Sequence, residues 1–227
     1  MLTVIKSILT KSEVAQFREH LNKQAWQDGN QTAGGLAKQV KNNQQLADEQ
    51  SEVAVSLGNH ILKTLGNHPQ FISAALPEKI YPPRFNRYEQ GETYGLHVDS
   101  AMMRIPNTNV SLRSDLSATL FLCEPDEYEG GELSIELEFG AQQVKLAAGD
   151  MVVYPSSSLH QVEPIISGTR TCAFFWIQSL VQSHEQLSLL YDLDQSIQTL
   201  TKGKVDQAEL TKLSGIYHNL LRQWAKN

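Results

Sequence analysis

Between residues 78 and 178 the chain carries about eight short runs of strand-forming residues separated by turn signals, and this spacing restricts the fold more than any other feature. The runs are Ile80–Tyr88, Tyr94–Asp99, Ser117–Cys123, Glu132–Leu137, Val144–Leu146, Met151–Tyr154, Gln161–Ile165 and Arg170–Gln178. Gly130-Gly131, Phe139-Gly140, Gly149-Asp150 and Ser167-Gly168 supply turns. Closely spaced strands of this kind form a sandwich or barrel, with a jelly roll as the evident closure.

The flanks have a different period. Residues 1–77 read as mainly helical. Thr10 with Glu13 fits a capping box, after which Val14, Phe17 and Leu21 recur on one face. A polar, glycine-containing stretch from Asp28 to Asn43 reads as a loop. Leu46, Val53, Leu57, Ile61 and Leu65 mark a longer amphipathic helix, closed by Asn67-His68-Pro69. Residues 179–227 carry two further stripes, Leu187, Leu190, Leu193, Ile197, Leu200 and then Leu210, Leu213, Tyr217, Leu220, Trp224. The segment Thr201-Lys202-Gly203-Lys204 joins them into an αα-hairpin. The expected fold class is α+β. A double-stranded β-helix (jelly-roll) core spans 78–178, a mainly helical support region spans 1–77, and a C-terminal helical extension spans 179–227.

With 227 residues the chain can bury one domain with extra elements at its ends. Its 19 basic and 25 acidic residues argue against a dedicated nucleic-acid binder. Cys123 and Cys172 form no CxxC pair and read as buried, reduced thiols. The apolar start, Met1 to Leu9, is broken by Lys6 and is too short for a signal peptide, and no run reaches membrane-spanning length. The expectation is a cytoplasmic protein with no nucleic-acid or membrane partner. The apolar C-terminal hairpin leaves a homodimer open.

Four residues carry the candidate chemistry. His97 and Asp99 flank Val98 in a strand-like run, so they project to one side while Val98 turns toward packing. His160 follows the apolar strand Met151–Tyr154 and a polar turn, which places it at a sheet rim. Arg170 comes ten residues after His160, across a glycine turn. Two histidines and one carboxylate form a facial triad that leaves coordination positions open, as in non-haem Fe(II) oxygenases. Arg170 supplies a cationic fork for a carboxylate cosubstrate. A zinc hydrolase would often place two histidines on one helix, as in HExxH, and would give Arg170 no task. The remaining histidines, His20, His60, His68, His184 and His218, lie in helical or loop context and are read as non-ligands. Ligating histidines must be neutral, so metal affinity is expected to fall below about pH 6.5. The segment Ser100–Leu112 reads as a loop beside the mouth of the site.

The residues from Tyr88 to Asp99, the turn Glu129-Gly130-Gly131-Glu132-Leu133, and the stretch Gly149-Asp150 through Tyr154-Pro155 to His160-Gln161-Val162 together resemble the 2-oxoglutarate and Fe(II)-dependent dioxygenases of the prolyl 4-hydroxylase-like branch. Within it the chain is most similar to the bacterial PKHD-type hydroxylases, also called iron-uptake factors. The resemblance implies His97, Asp99 and His160 as Fe(II) ligands and Arg170 as the partner of the distal carboxylate of 2-oxoglutarate. The broader family often has a lysine at the Arg170 position; an arginine binds a carboxylate bidentately. Tyr88 and Tyr94 read equally as lining the cosubstrate pocket and as core aromatics near a strand end. The implied reaction converts 2-oxoglutarate and dioxygen to succinate while hydroxylating a C–H bond of a peptide or small molecule, with L-ascorbate keeping the iron reduced. Two alternatives compete. A nucleobase-demethylating dioxygenase would typically carry a second arginine soon after Arg170, where this chain is apolar. A non-catalytic iron-binding or iron-sensing protein would leave Arg170 without a role.

Overall fold

A computed structural model describes residues 1–32, 37–137, 140–203 and 205–226. Phe139 and Lys204 of the predicted turns, and residues 33–36 of the predicted glycine-containing loop, lie outside the described residues. The first third supplies β1 (Thr3–Ile5), α1 (Lys11–Asn22), β2 (Trp26–Asp28), α2 (Ala37–Val40), β3 (Lys41–Asn42), β4 (Gln44–Leu46), α3 (Glu52–Gly66) and α4 (Pro69–Ala75). The middle supplies β5 (Pro77–Ile80), β6 (Arg84–Tyr88), β7 (Thr93–His97), β8 (Met102–Arg104), β9 (Ser111–Arg113), β10 (Leu116–Phe121), β11 (Tyr128–Gly130), β12 (Leu133–Leu137), β13 (Gly140–Val144), β14 (Met151–Pro155), β15 (His160–Val162), β16 (Ile165–Gly168) and β17 (Arg170–Ser179). The chain closes with α5 (His184–Thr201) and α6 (Gln207–Trp224).

The strands form an antiparallel jelly roll. A large sheet runs β1-β14-β10-β17-β6-β4-β2, with β5 also on β17. A smaller sheet runs β13-β12-β15-β7-β3. The large sheet is covered on both faces, so its central strands bury residues on either side: apolar side chains against the helices, and a mixture of apolar and polar ones toward the smaller sheet. Leu116, Ala118 and Leu120 of β10, Met151 and Val153 of β14, and Ala173, Phe175 and Ile177 of β17 meet Phe17 and Leu21 of α1, Ile61 and Leu65 of α3, Phe71 of α4, and Leu187 and Leu190 of α5. The alternate residues, Phe121, Val152, Tyr154 and Cys172, face Leu133, Ile135, Val144 and Val162 of the smaller sheet. Each fully buried Leu, Ile or Phe contributes about 1.5–3 kcal/mol through removal of apolar surface from water. Cys123 and Cys172 are free and buried, as the sequence indicates.

Several predicted boundaries move for identifiable reasons. The run Ile80–Tyr88 splits into β5 and β6 at Pro82-Pro83, and Gln161–Ile165 splits into β15 and β16 at Pro164, because proline has no amide to donate. The strand expected at Val144–Leu146 lies earlier, at Gly140–Val144. The N-terminal region is less helical than its apolar periodicity implies, since β1 to β4 pair with β14, β6 and β7. Leu46 belongs to β4, and α3 starts only after Ser51, whose hydroxyl caps the Ala54 amide. The Thr10–Glu13 capping box forms as predicted. Ser100–Leu112 is not a plain loop but includes β8 and much of β9, paired as a hairpin. At Gly130-Gly131 (φ +73 and +67) a side chain is excluded: a Cβ on Gly130 would sit 2.2 Å from the Pro164 carbonyl, and one on Gly131 2.3 Å from Ile165 Cδ1. This close approach seats β11 beside β16, directly before Arg170. No helix among the described residues is long and apolar enough to cross a membrane.

Candidate active site

The smaller sheet sets both histidines. His160 opens β15 directly opposite His97 of β7, with ring centroids 4.2 Å apart. Between His97 and Tyr94 the register slips, so that Gly95 and Leu96 oppose the single residue Gln161. This bulge brings Tyr94 and His97 to one face, where period-two alternation would separate them. Their rings stack at 3.6 Å with 14° between planes.

Each imidazole is held by a backbone carbonyl two residues back. His97 Nδ1 lies 2.8 Å from the Gly95 oxygen and His160 Nδ1 lies 3.0 Å from the Ser158 oxygen. A carbonyl only accepts, so both Nδ1 atoms carry the proton and both Nε2 lone pairs remain for a metal. Asp99 follows the end of β7 rather than lying within it, which corrects the strand expected over Tyr94–Asp99. Val98 is 46% exposed and not packed as expected, because the ladder has already ended. The Asp99 carboxylate still reaches the histidines: Oδ2 lies 3.7 Å from His160 Nε2. One ligand atom from each of His97, Asp99 and His160 lies within 4.8 Å of the others. This donor set, two imidazoles and a carboxylate on a partly closed cavity, fits a divalent first-row metal.

Burial, together with the neighbouring His160, lowers the His97 pKa to about 4. The imidazole is therefore neutral and ready to ligate at neutral pH. Burial likewise pushes Tyr88 up to about 12 and raises Tyr94 and Tyr154 well above the ordinary phenol value, so these phenols stay protonated.

Arg170 opens β17 and is only 1% exposed. Its guanidinium carbon lies 5.3 Å from the Tyr88 ring and 5.2 Å from the Phe121 ring. Its Nε and Nη2 find no hydrogen-bond partner among the described residues. A buried guanidinium with unmet donors is costly unless an anion arrives. It lines the same cavity as the three ligand candidates, about 130 Å³ in volume. The four residues chosen from the sequence therefore meet in one place. Tyr88 and Tyr94 also line that cavity.

Sequence reasoning missed other wall residues. Ser117 and Thr119 line the cavity, and their alternation with Leu116, Ala118 and Leu120 was the available signal. Tyr154 packs edge-on against His160 at 5.1 Å. Lys41 and Met103 line the cavity from the stretches read as loops. The five histidines set aside stay out of the group: His60 contacts Glu13 at 2.9 Å and His68 caps α4.

Solved structures share this fold. A prolyl hydroxylase from Trichoplax adhaerens, complexed with a hypoxia inducible factor peptide fragment, aligns with a TM-score of 0.58 at 13% identity, over 83% of this chain and 86% of that one. A prolyl-4-hydroxylase from Pseudomonas putida aligns with a TM-score of 0.51 at 19% identity, over 78% and 92%. Residues 83–178 match the 2OG-Fe(II) oxygenase superfamily, and residues 185–226 match the PKHD-type hydroxylase C-terminal domain. The matched segment, carried on this jelly-roll fold, is that of a 2-oxoglutarate and Fe(II)-dependent oxygenase. The chain belongs to the PKHD-type hydroxylases: it is 57% identical to that of Pseudoalteromonas atlantica, with 99% of each chain covered, and 58% identical to that of Acidovorax ebreus, with 100% of each covered.

Proposed function

We propose that the protein hydroxylates a C–H bond of a peptide or small molecule, with His97, Asp99 and His160 holding Fe(II) and Arg170 receiving the distal carboxylate of 2-oxoglutarate. The observation that carries this reading is the buried Arg170, with two donors unmet, facing the same cavity as the His-Asp-His group. When bound, iron and 2-oxoglutarate supply the activation of dioxygen that ends in succinate, carbon dioxide and an oxidised substrate carbon.

The chain's own contribution is placement and exclusion of water. The Gly95 and Ser158 carbonyls keep the protons on Nδ1 of the two histidines and aim Nε2 inward. Arg170 offers two parallel donors that select a planar diacid end over a neutral group. Tyr88 lies against the guanidinium and Tyr94 against His97, so both flank the space assigned to the cosubstrate. Leu133, Val162, Phe174 and Trp176 give the cavity an apolar wall that limits the water around the reacting groups.

The family resemblance adds two finer elements to the proposal: ascorbate as the reductant that keeps iron in the Fe(II) state, and a role in iron uptake. The decisive experiment is succinate release from 2-oxoglutarate by the iron-loaded protein. It should be abolished in Asp99→Ala and sustained longer with ascorbate. Turnover that persists in Asp99→Ala would sink the assignment.

A further inference from the structure

We propose that Ser117 is a positioning residue for the metal site, holding the Asp99 carboxylate in the orientation that meets an ion shared with His97 and His160. This rests on those three residues being the ligands. The two imidazoles are supported by their own paired strands and by carbonyls two residues back. Asp99 lacks that support because β7 ends at His97. Its side chain is held instead from the large sheet, where Ser117 Oγ lies 2.5 Å from Asp99 Oδ2.

The direction of the bonds follows from chemistry. An ionised carboxylate only accepts, so Ser117 donates to it. A hydroxyl has one hydrogen, so Ser117 must accept from Ser156, whose Oγ lies 2.7 Å away. Both serines are nearly inaccessible to solvent. Their backbones are fixed: Ser117 pairs with Tyr154 and Trp176 across β10, and the Ser156 amide donates to the Asp115 carbonyl at 3.1 Å. Two buried hydroxyls, one on β10 and one just past the end of β14, are thus directed in series at one carboxylate, and each polarises the next. Without the donor the carboxylate is free to rotate, and the cost of fixing it falls on metal binding. Partners of this kind change metal affinity by about ten- to a hundred-fold.

The test is anaerobic calorimetric titration of Mn(II) and Fe(II) into the metal-free full-length protein, which needs no turnover. Ser117→Ala should weaken binding about ten-fold or more, while Ser117→Thr, which keeps the hydroxyl, should stay within roughly three-fold of the unsubstituted protein. Thermal unfolding of the metal-free Ser117→Ala protein should be nearly unchanged, which separates positioning from general support of the fold. Equal affinity for Ser117→Ala and the unsubstituted protein overturns the proposal, as does an equal loss in Ser117→Thr. If Ser117→Ala does not fold, Ser156→Ala takes its place; it removes the upstream donor and should weaken binding by a smaller factor, and unchanged affinity there overturns the proposal. An unsubstituted protein that takes up neither metal defeats the underlying ligand assignment, a failure distinct from that of the Ser117 arms.

Discussion

The Tyr94 ring lies flat on His97 at 3.6 Å, made possible by the two-against-one slip of Gly95 and Leu96 past Gln161. The stack limits rotation of an imidazole that is otherwise held by one hydrogen bond. Aromatic contacts of this type contribute about 0.5–1.5 kcal/mol beyond burial. Tyr94→Phe should keep metal affinity close to that of the unsubstituted protein, and Tyr94→Ala should weaken it several-fold. Titration of Mn(II) into both variants decides this; equal affinities would show that the stack does not orient His97.

Arg170 is the second point of leverage. Truncating it removes the fork while leaving the three ligand candidates in place. Removing one partner of a buried charge pair costs about 2–5 kcal/mol, a rise of roughly thirty-fold or more in the 2-oxoglutarate dissociation constant. Arg170→Ala should show that rise with metal affinity preserved, and Arg170→Lys should recover only part of it, because an ammonium cannot present two parallel donors. Loss of metal in Arg170→Ala would assign the guanidinium to the fold rather than to the cosubstrate.

The pH behaviour follows from His97. Burial holds its pKa near 4 in the folded protein, below the ordinary histidine value of about 6.5 expected after unfolding. Between those values the unfolded chain binds the extra proton, so stability falls as pH decreases from about 6.5 toward 4 and is fully present above 6.5. Thermal melts of the metal-free protein across this window should show the decline, and His97→Gln should flatten it. A melt profile identical in the two proteins would contradict the lowered value. Burial thus moves proton competition at His97 below the pH of about 6.5 expected for an ordinary histidine.

Gly130 tests the support beneath the arginine. A methyl group there would lie 2.2 Å from a backbone oxygen, at a φ of +73 that other residues rarely adopt. Gly130→Ala should lose about 1–3 kcal/mol in chemical denaturation, since backbone cannot move aside as a side chain can. A variant as stable as the unsubstituted protein would mean that β11 and β16 separate easily.

Much of this molecule was legible in residue order. The strands β10, β12, β14 and β17 stand close to their predicted positions because each alternates apolar with polar residues, as β10 and β12 do, or runs nearly continuously apolar, as β14 and β17 do, next to a turn. The paired C-terminal helices follow from their leucine spacing. The short strands β2, β3 and β4 were not legible. They contain Trp-Gln-Asp, Lys-Asn and Gln-Gln-Leu, segments too short and polar to show a period, and they are strands because β4 adds to the edge of β6, β2 adds to β4, and β3 adds to the edge of β7. The hairpin of β8 and β9 was not legible either; its two strands form by pairing with each other.

Residue type and local spacing determined the donor set, the fork at position 170 and the jelly-roll class, because imidazole, carboxylate and guanidinium carry their chemistry wherever they stand. Only the tertiary structure decided that His160 sits opposite His97, that Asp99 is held by a serine of the other sheet, and that Arg170 is sealed between Tyr88 and Phe121. These are contacts between distant segments, fixed by sheet register and by the slip at Gly95-Leu96, and no local window of the chain contains both partners.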